Sequence, residues 1–219
     1  MDLIPTQEQI AALLRRTGAL RDGHFEYADG VHTNQHVDPA LAMRSYESAR
    51  VLAVALSRKL RKKAELRSVI DEVGIVAATP NGMAVAYTLS YVLHPRRVSW
   101  VEKGTRSAAM AFRPFVEPER GEKIILVDDI LRSGVLLAEA KALIERYGAE
   151  VVAIAVLAAL PTPKTIDFDP LPVYSAVQLE PRAYSDTRDC ELCRAGAPLT
   201  SIGRYWKSGE HMAGTAASL

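Results

Sequence analysis

Apolar residues recur along this chain with two periods, and the alternation between them predicts an α/β fold. Ile10, Leu13 and Leu14 recur at helical spacing between Thr6, a capping residue, and Gly18, a stop, which predicts a helix over Gln7–Arg16. Val51, Leu52, Ala55, Leu56 and Leu60 share one face of a second helix, Ser45–Lys63. Val73–Ala77, Arg97–Val101, Lys123–Val127 and Val151–Leu157 are short aliphatic runs that read as strands. Helical patterns over Gly82–Leu93 and Gly134–Tyr147 lie between them. Phe112–Val116 reads as an edge strand ended by Pro118, and Val173–Leu179 as a last strand. The βαβ order implies a parallel sheet wrapped by helices.

One domain accounts for this pattern. Residues 1–43 form a helix and a small hood, because the segment GALRDGHFEYADGVHTNQHVD lacks a helical period and reads as a hairpin or irregular loop. Residues 44–180 form the α/β core, and residues 181–219 read as a polar tail of uncertain order.

Composition narrows the function classes. The hydrophobic fraction of 48% and charged fraction of 24% are ordinary for a globular protein. A net charge of +1 gives no reason to expect nucleic acid or a membrane surface as partner. No apolar run approaches the roughly 20 residues of a membrane span, and the first residues lack a signal-type apolar stretch, so a cytoplasmic location is expected. The basic run Arg58–Lys63 reads as a solvated helix C-terminus. Cys190 and Cys193 form the only C-x-x-C pair. A four-ligand zinc site would need histidines beside it, and His211 is the only one downstream, so neither metal nor redox chemistry is expected there. His24, His32 and His36 fit no compact metal-binding spacing and read as structural or surface residues.

The chemistry concentrates in KIILVDDILRSGVLLA, residues 123–138. Asp128 and Asp129 close an apolar strand, where open α/β sheets place their ligands. Two adjacent carboxylates can hydrogen-bond two ribose hydroxyls or help hold magnesium through water. The loop Ile130-Leu131-Arg132-Ser133-Gly134 then offers backbone N–H groups at a helix start, which favours phosphate. A second loop, Ala78-Thr79-Pro80-Asn81-Gly82, also follows a strand and opens a helix, a setting that suits a diphosphate. Lys103-Gly104-Thr105-Arg106-Ser107, with Arg113 beyond, reads either as a lid neutralising a leaving diphosphate or as an exposed charged hairpin.

Val127 to Gly134 resembles the phosphoribosyl diphosphate (PRPP) signature of type I phosphoribosyltransferases. Thr17-Gly18-Ala19-Leu20, Gly23-His24-Phe25, Gly30-Val31-His32 and the CELCRAGAPLT tail are similar to segments of bacterial orotate phosphoribosyltransferases. The resemblance runs from about residue 6 to about residue 200. It implies the type I fold, a twisted, mainly parallel sheet flanked by helices, with a small N-terminal hood. It implies PRPP-dependent transfer to orotate giving orotidine 5′-monophosphate, with Mg2+ held mainly by PRPP and by no certain protein ligand, and a homodimer. Asp128 and Asp129 would bind the ribose hydroxyls. Ile130 and Leu131 would lead into a 5′-phosphate loop of Arg132, Ser133, Gly134, Val135 and Leu136. Ala78 to Gly82 would contact the diphosphate, and Lys103 would lead into a flexible catalytic loop containing Arg106.

The sequence departs from the family pattern in places. Arg132-Ser133-Gly134 stands where Thr-Thr-Gly or Thr-Ala-Gly is usual, and the diphosphate loop has one glycine where a pair is usual. Ala158-Ala159-Leu160-Pro161 lacks the Arg that orotate enzymes commonly use on their base, so an orotate carboxylate needs another cation, Arg132 or one in the hood. These departures keep two alternatives open: transfer to another base, or a nucleotide-binding regulator without turnover.

Overall fold

The computed structural model describes residues 5–103 and 109–202. Helix α1, Gln7–Arg16, begins as predicted: Thr6 accepts the N–H of Gln9, whose side chain accepts that of Thr6. Strands β1 (Leu20–Glu26) and β2 (His32–Val37) pair antiparallel, with a bulge between Asp22 and Phe25, so the expected hood is a true hairpin. Asp38 caps a short helix α2, Pro39–Met43, and α3 (Tyr46–Arg61) and α4 (Ala64–Arg67) follow.

The core alternates as expected: β3 (Gly74–Ala77), α5 (Pro80–Leu93), β4 (Arg97–Lys103), β5 (Met110–Phe112), β6 (Lys123–Leu131), α6 (Val135–Arg146), β7 (Glu150–Ala159) and β8 (Val173–Gln178). The strand order is β5-β4-β3-β6-β7-β8, parallel throughout except β5. Strand β6 therefore lies at the centre. Ile125 and Val127 pack on one face with α1, α3 and α5, while Ile124 and Leu126 pack on the other with α6. No described helix is long and apolar enough to cross a membrane.

Several boundaries differ from the expectations. Strand β6 does not stop at Val127 but runs through both acids to Leu131, because β7 continues beside it and pairs Asp128 with Val156 and Leu131 with Ala159. Helix α5 starts at Pro80, two residues early, because Thr79 caps it and proline suits a first helical position. The edge strand forms at Met110–Phe112 rather than Phe112–Val116, where its apolar residues reach the core beside β4.

The structure settles most where the sequence left the tail open. Through residue 202 it is ordered on the hood, as β9 (Ala183–Tyr184), α7 (Glu191–Arg194) and β10 (Leu199–Ser201). Strand β10 pairs parallel with β1 and β9 antiparallel with β2, making a four-stranded hood sheet in the order β10-β1-β2-β9. A polar sequence hid this because the tail adds edge strands to the existing hairpin and needs no hydrophobic face of its own.

The Ile125 side chain is fully buried at the centre of β6. Ile125→Ala should lower unfolding free energy by about 2–5 kcal/mol, read by urea denaturation. A loss below about 1 kcal/mol would show that β6 is not the packed centre of the domain.

Candidate functional site

Strands β3 and β6 are adjacent and parallel, so their carboxyl ends open on the same edge of the sheet. Above them lies a cleft of about 930 Å³. Its floor joins three segments singled out in the sequence: Ala78 to Asn81, Lys103, and Asp128 to Leu136 except Leu131. Leu131 turns into the core instead, and Gly82 lies behind the wall rather than on it. Arg106 and the segment Gly104–Ser107 lie outside the described residues. Lys103 ends β4, and Arg113 forms an exposed ion pair with Glu102 at 2.8 Å.

The acid pair is buried, Asp128 at 4% exposure and Asp129 at 6%. The Thr79 hydroxyl donates to Asp128 Oδ1 at 2.5 Å while accepting the Gly82 N–H at 3.0 Å. The Asp129 N–H donates to the same Asp128 oxygen at 2.9 Å. Helix α5 approaches so closely that a Cβ on Gly82 would sit 2.9 Å from Asp128 Oδ1 and 3.0 Å from the Val127 carbonyl, so only glycine fits. Thr79 thus serves one carboxylate as well as its own helix. It leaves α5 already capped, with Pro80 contributing no N–H.

Burial, reinforced by the charge of Asp129, pushes the Asp128 carboxyl up to about 7. The Asp129 carboxyl is also raised, by burial and by the charge of Asp38. The site stores electrostatic cost where a ligand would relieve it.

The start of α6 differs from that of α5. Gly134 holds a left-handed conformation (φ 80°) and no side chain caps the helix, so the N–H groups of its first turn face the cleft without a protein partner among the described residues. The segment after β7 braces this turn. The Thr165 hydroxyl donates to the Arg132 carbonyl, the Ile166 N–H donates to the Ser133 carbonyl at 2.9 Å, and the Phe168 ring closes on Gly134.

The hood forms the roof with Tyr27, His36 and Asp38. Arg132 reaches up from the floor. Its Nη1 donates to Asp29 at 2.7 Å, and its guanidinium lies 4.2 Å from the centre of the Tyr27 ring. Lys164 donates to the Asp29 carbonyl at 2.6 Å. Burial raises Asp29, but Arg132 outweighs it and holds the carboxyl below its usual range. Burial pushes the Tyr27 hydroxyl up to about 12, and it shares a hydrogen bond of 3.0 Å with His36 Nδ1. Among the lysines and arginines of the described residues, Lys103 and Arg132 line the cleft. At the end of β7 there is no charge: Ala158, Ala159 and Leu160 are buried.

Sequence reasoning missed the roof. Asp38-Pro39, a cap followed by a first-turn proline, is a signal that would have revealed α2 at the cleft edge. Nothing local marks Tyr27, His36 or Ile202 as cleft residues. The histidines divide between buried hood positions and the cleft. His36 lines the cleft, while His24 and His32 are buried in the hood beside Cys190 and Cys193, none of which lines the cleft.

The raised Asp128 gives a signed prediction. Between the ordinary carboxylate range and pH 7 the folded chain holds a proton that the unfolded chain releases, so stability falls as pH rises through that window. Asp128→Asn keeps the Thr79 contact and removes the buried charge. Its Tm should match wild type near pH 4 and exceed it by a few degrees at pH 8, each 1 kcal/mol being about 2–4 °C at this size. A lower Tm at pH 8 would mean that the charge is not a strain.

Comparisons with known proteins bear on the family and the fold. Residues 47–169 match the family profile of the phosphoribosyl transferase domain. The chain is 30% identical over 195 residues, 89% of its length and 97% of theirs, to the orotate phosphoribosyltransferases of Thermotoga maritima and Thermotoga petrophila. In fold it is similar to the orotate phosphoribosyltransferase of Aeropyrum pernix (TM-score 0.60, 16% identity, 77% of this chain and 93% of that one). It is also similar to the UMP synthase of Leishmania donovani (TM-score 0.61, 18% identity, 78% of this chain and 36% of that one). With a β6–loop–α6 signature at the cleft floor, a family match across the core and relatives at 30% identity along most of its length, the chain belongs to the phosphoribosyltransferase family of enzymes.

Proposed function

We propose that this enzyme transfers the 5-phosphoribosyl group of PRPP to orotate, giving orotidine 5′-monophosphate and diphosphate. One observation carries the reading: a buried, electrostatically strained acid pair shares a cleft floor with an uncapped helix start. The first suits ribose hydroxyls and the second a phosphate dianion, and the loop Ile130 to Gly134 joins them along one cleft.

In this reading Asp128 and Asp129 accept hydrogen bonds from the ribose hydroxyls, and the N–H groups from Ser133 to Leu136 hold the 5′-phosphate. Ile130 and Leu131 carry the chain from the acids into that loop. The diphosphate lies toward Ala78–Gly82, where Asn81 faces the cleft, and Lys103 supplies positive charge as it departs. A ring nitrogen of the base attacks the anomeric carbon as its bond to the diphosphate oxygen breaks. The transition state has oxocarbenium character, so the chain's contribution is positioning, charge stabilisation and exclusion of water by the hood. The oxygen-only donors of the acid pair fit Mg2+, which favours carboxylates and keeps water ligands. Bound with PRPP, such an ion would neutralise charge on the diphosphate.

Under the hood, Arg132 lines the cleft with donors left after its bond to Asp29, which supports it as the cation for an orotate carboxylate. The uncharged end of β7 favours a second reading, transfer to another base. A homodimer, with the chain beyond Lys103 serving the neighbouring subunit, completes the proposal.

The decisive measurement supplies magnesium and PRPP with orotate or with a panel of purines and pyrimidines, and follows nucleotide formation. Orotidine 5′-monophosphate should form. Product solely from another base would overturn orotate as the acceptor. Replacing both acids, Asp128→Asn with Asp129→Asn, should cut kcat/KM by about 10²-fold or more while the protein stays folded. Arg132→Ala should raise KM for orotate about tenfold or more, as expected for a lost charged hydrogen bond, with a smaller change in KM for PRPP.

A further inference from the structure

His24 and His32 face each other across the hood hairpin, with Nε2 of the first 2.9 Å from Nδ1 of the second. The C-x-x-C pair folds onto them. Cys190 Sγ is 3.6 Å from His24 Nε2, and Cys193 Sγ is 3.6 Å from His24 Nε2 and 3.4 Å from His32 Nδ1. One candidate ligand atom from each of the four residues falls within 4.8 Å of all the others. His24, His32 and Cys190 are buried, and both cysteines are free thiols.

We propose that His24, His32, Cys190 and Cys193 form a closed, four-coordinate zinc site that pins the C-terminal segment to the N-terminal hairpin.

The spacing fits the ion. Zn–N of about 2.05 Å and Zn–S of about 2.3 Å at tetrahedral angles require N···S edges near 3.6 Å and an N···N edge near 3.3 Å. Three of the four N···S edges, at 3.6, 3.6 and 3.4 Å, already meet that requirement, the fourth, Cys190 to His32, lies within 4.8 Å, and the two imidazoles need to part by less than about 0.5 Å. Two thiolates and two neutral imidazoles leave the site uncharged around a divalent ion, which suits its burial.

The outer ring nitrogens carry the second, independent observation. His24 Nδ1 lies 3.0 Å from the Ala197 carbonyl, which can only accept, so that nitrogen is the protonated one and Nε2 presents its lone pair inward. His32 Nε2 is buried without any hydrogen-bond partner, and the Glu26 carboxylate stands 3.9 Å away. With both inner nitrogens on an ion, both outer ones become N–H groups: His24 Nδ1–H donates to the Ala197 carbonyl, and His32 Nε2–H faces the Glu26 carboxylate 3.9 Å away, a favourable electrostatic contact. This is the arrangement of ligand-orienting contacts that metal-bound histidines have. Without an ion, one inner nitrogen must donate to the other, and the His32 Nε2 lone pair stays buried and unsatisfied. A cavity of about 490 Å³ lined by His24, Leu192 and Ala197 opens beside the cluster as an entry path.

Four protein ligands leave no open position, which marks a structural ion rather than a catalytic one. Its work is visible in the fold. Strands β9 and β10 have two and three residues and α7 a single turn, too little to hold the tail by pairing alone. The chain continues from β10 into Ile202, which lines the cleft, so the ion steadies one wall of the catalytic site from outside it.

The test does not depend on which base is the acceptor. The full chain, purified without added metal or chelator, should contain one zinc per chain by elemental mass spectrometry. Replacement by cobalt(II) should give thiolate-to-metal charge transfer and the intense d–d bands of tetrahedral coordination. Cys193→Ser and His32→Asn should each lower the zinc content severalfold. A strong chelator should make the segment 181–202 sensitive to limited proteolysis. A metal-free protein that takes up no cobalt, a Cys190–Cys193 disulfide in its place, another stoichiometric metal, or full zinc content in both variants would overturn the site. The wild-type metal content and cobalt spectrum decide the matter even where a variant fails to fold.

Discussion

The hydrogen bond from Thr79 to Asp128 is the contact on which the catalytic half of this structure turns. It joins the end of β3 to the end of β6, and its hydroxyl also caps α5. A buried carboxylate is costly unless its lone pairs find donors. Thr79 and the Asp129 N–H supply two, and both converge on one oxygen of Asp128. The other side of the carboxylate remains for a ligand. The glycine at position 82 belongs to the same arrangement, because any side chain there would push α5 off the acid pair.

Around this contact the two helix starts divide the labour. Helix α5 is capped by its own threonine and helps position an acid, whereas α6 is left without a cap at a left-handed glycine, so its N–H groups stay available. The difference comes from one residue type at the capping position. Arg132, in place of the small polar residue usual in the family, extends the signature loop upward. By pairing with Asp29 and lying against Tyr27 it joins the floor of the cleft to the roof. A substitution that looks, in one dimension, like damage to a phosphate loop is in three dimensions a strut between the core and the hood.

The hood is built from both ends of the described chain. Its sheet places β10 and β9 on either side of the β1–β2 hairpin. Such short strands gain little from pairing, and the proposed ion would tie α7, the segment between β9 and β10, to the hairpin through His24, His32, Cys190 and Cys193. The residues concerned lie 166 positions apart in the case of His24 and Cys190. The same wall carries Ile202 to the cleft, so the path of the tail helps shape the cleft.

Much of the core was legible in the sequence because its signals are local. Aliphatic runs predicted the central strands, Thr6 and Gly18 bounded α1, and the adjacent acids followed by Arg132-Ser133-Gly134 marked the floor of the site. Local signals failed where a neighbour decides. Strand β6 continues through two carboxylates only because β7 runs beside it, and the polar tail becomes sheet only because a hairpin offers it edges. What the sequence by itself determined is the alternation of strands and helices, the acid pair and the loop behind it, since hydrophobic period and turn chemistry act over a few residues. Tertiary structure alone decided that Thr79 would hold Asp128, that Arg132 would reach Asp29, and that two histidines would meet two cysteines. Each of those contacts joins residues far apart in the chain, which only the winding of the chain around its two sheets brings within hydrogen-bonding distance.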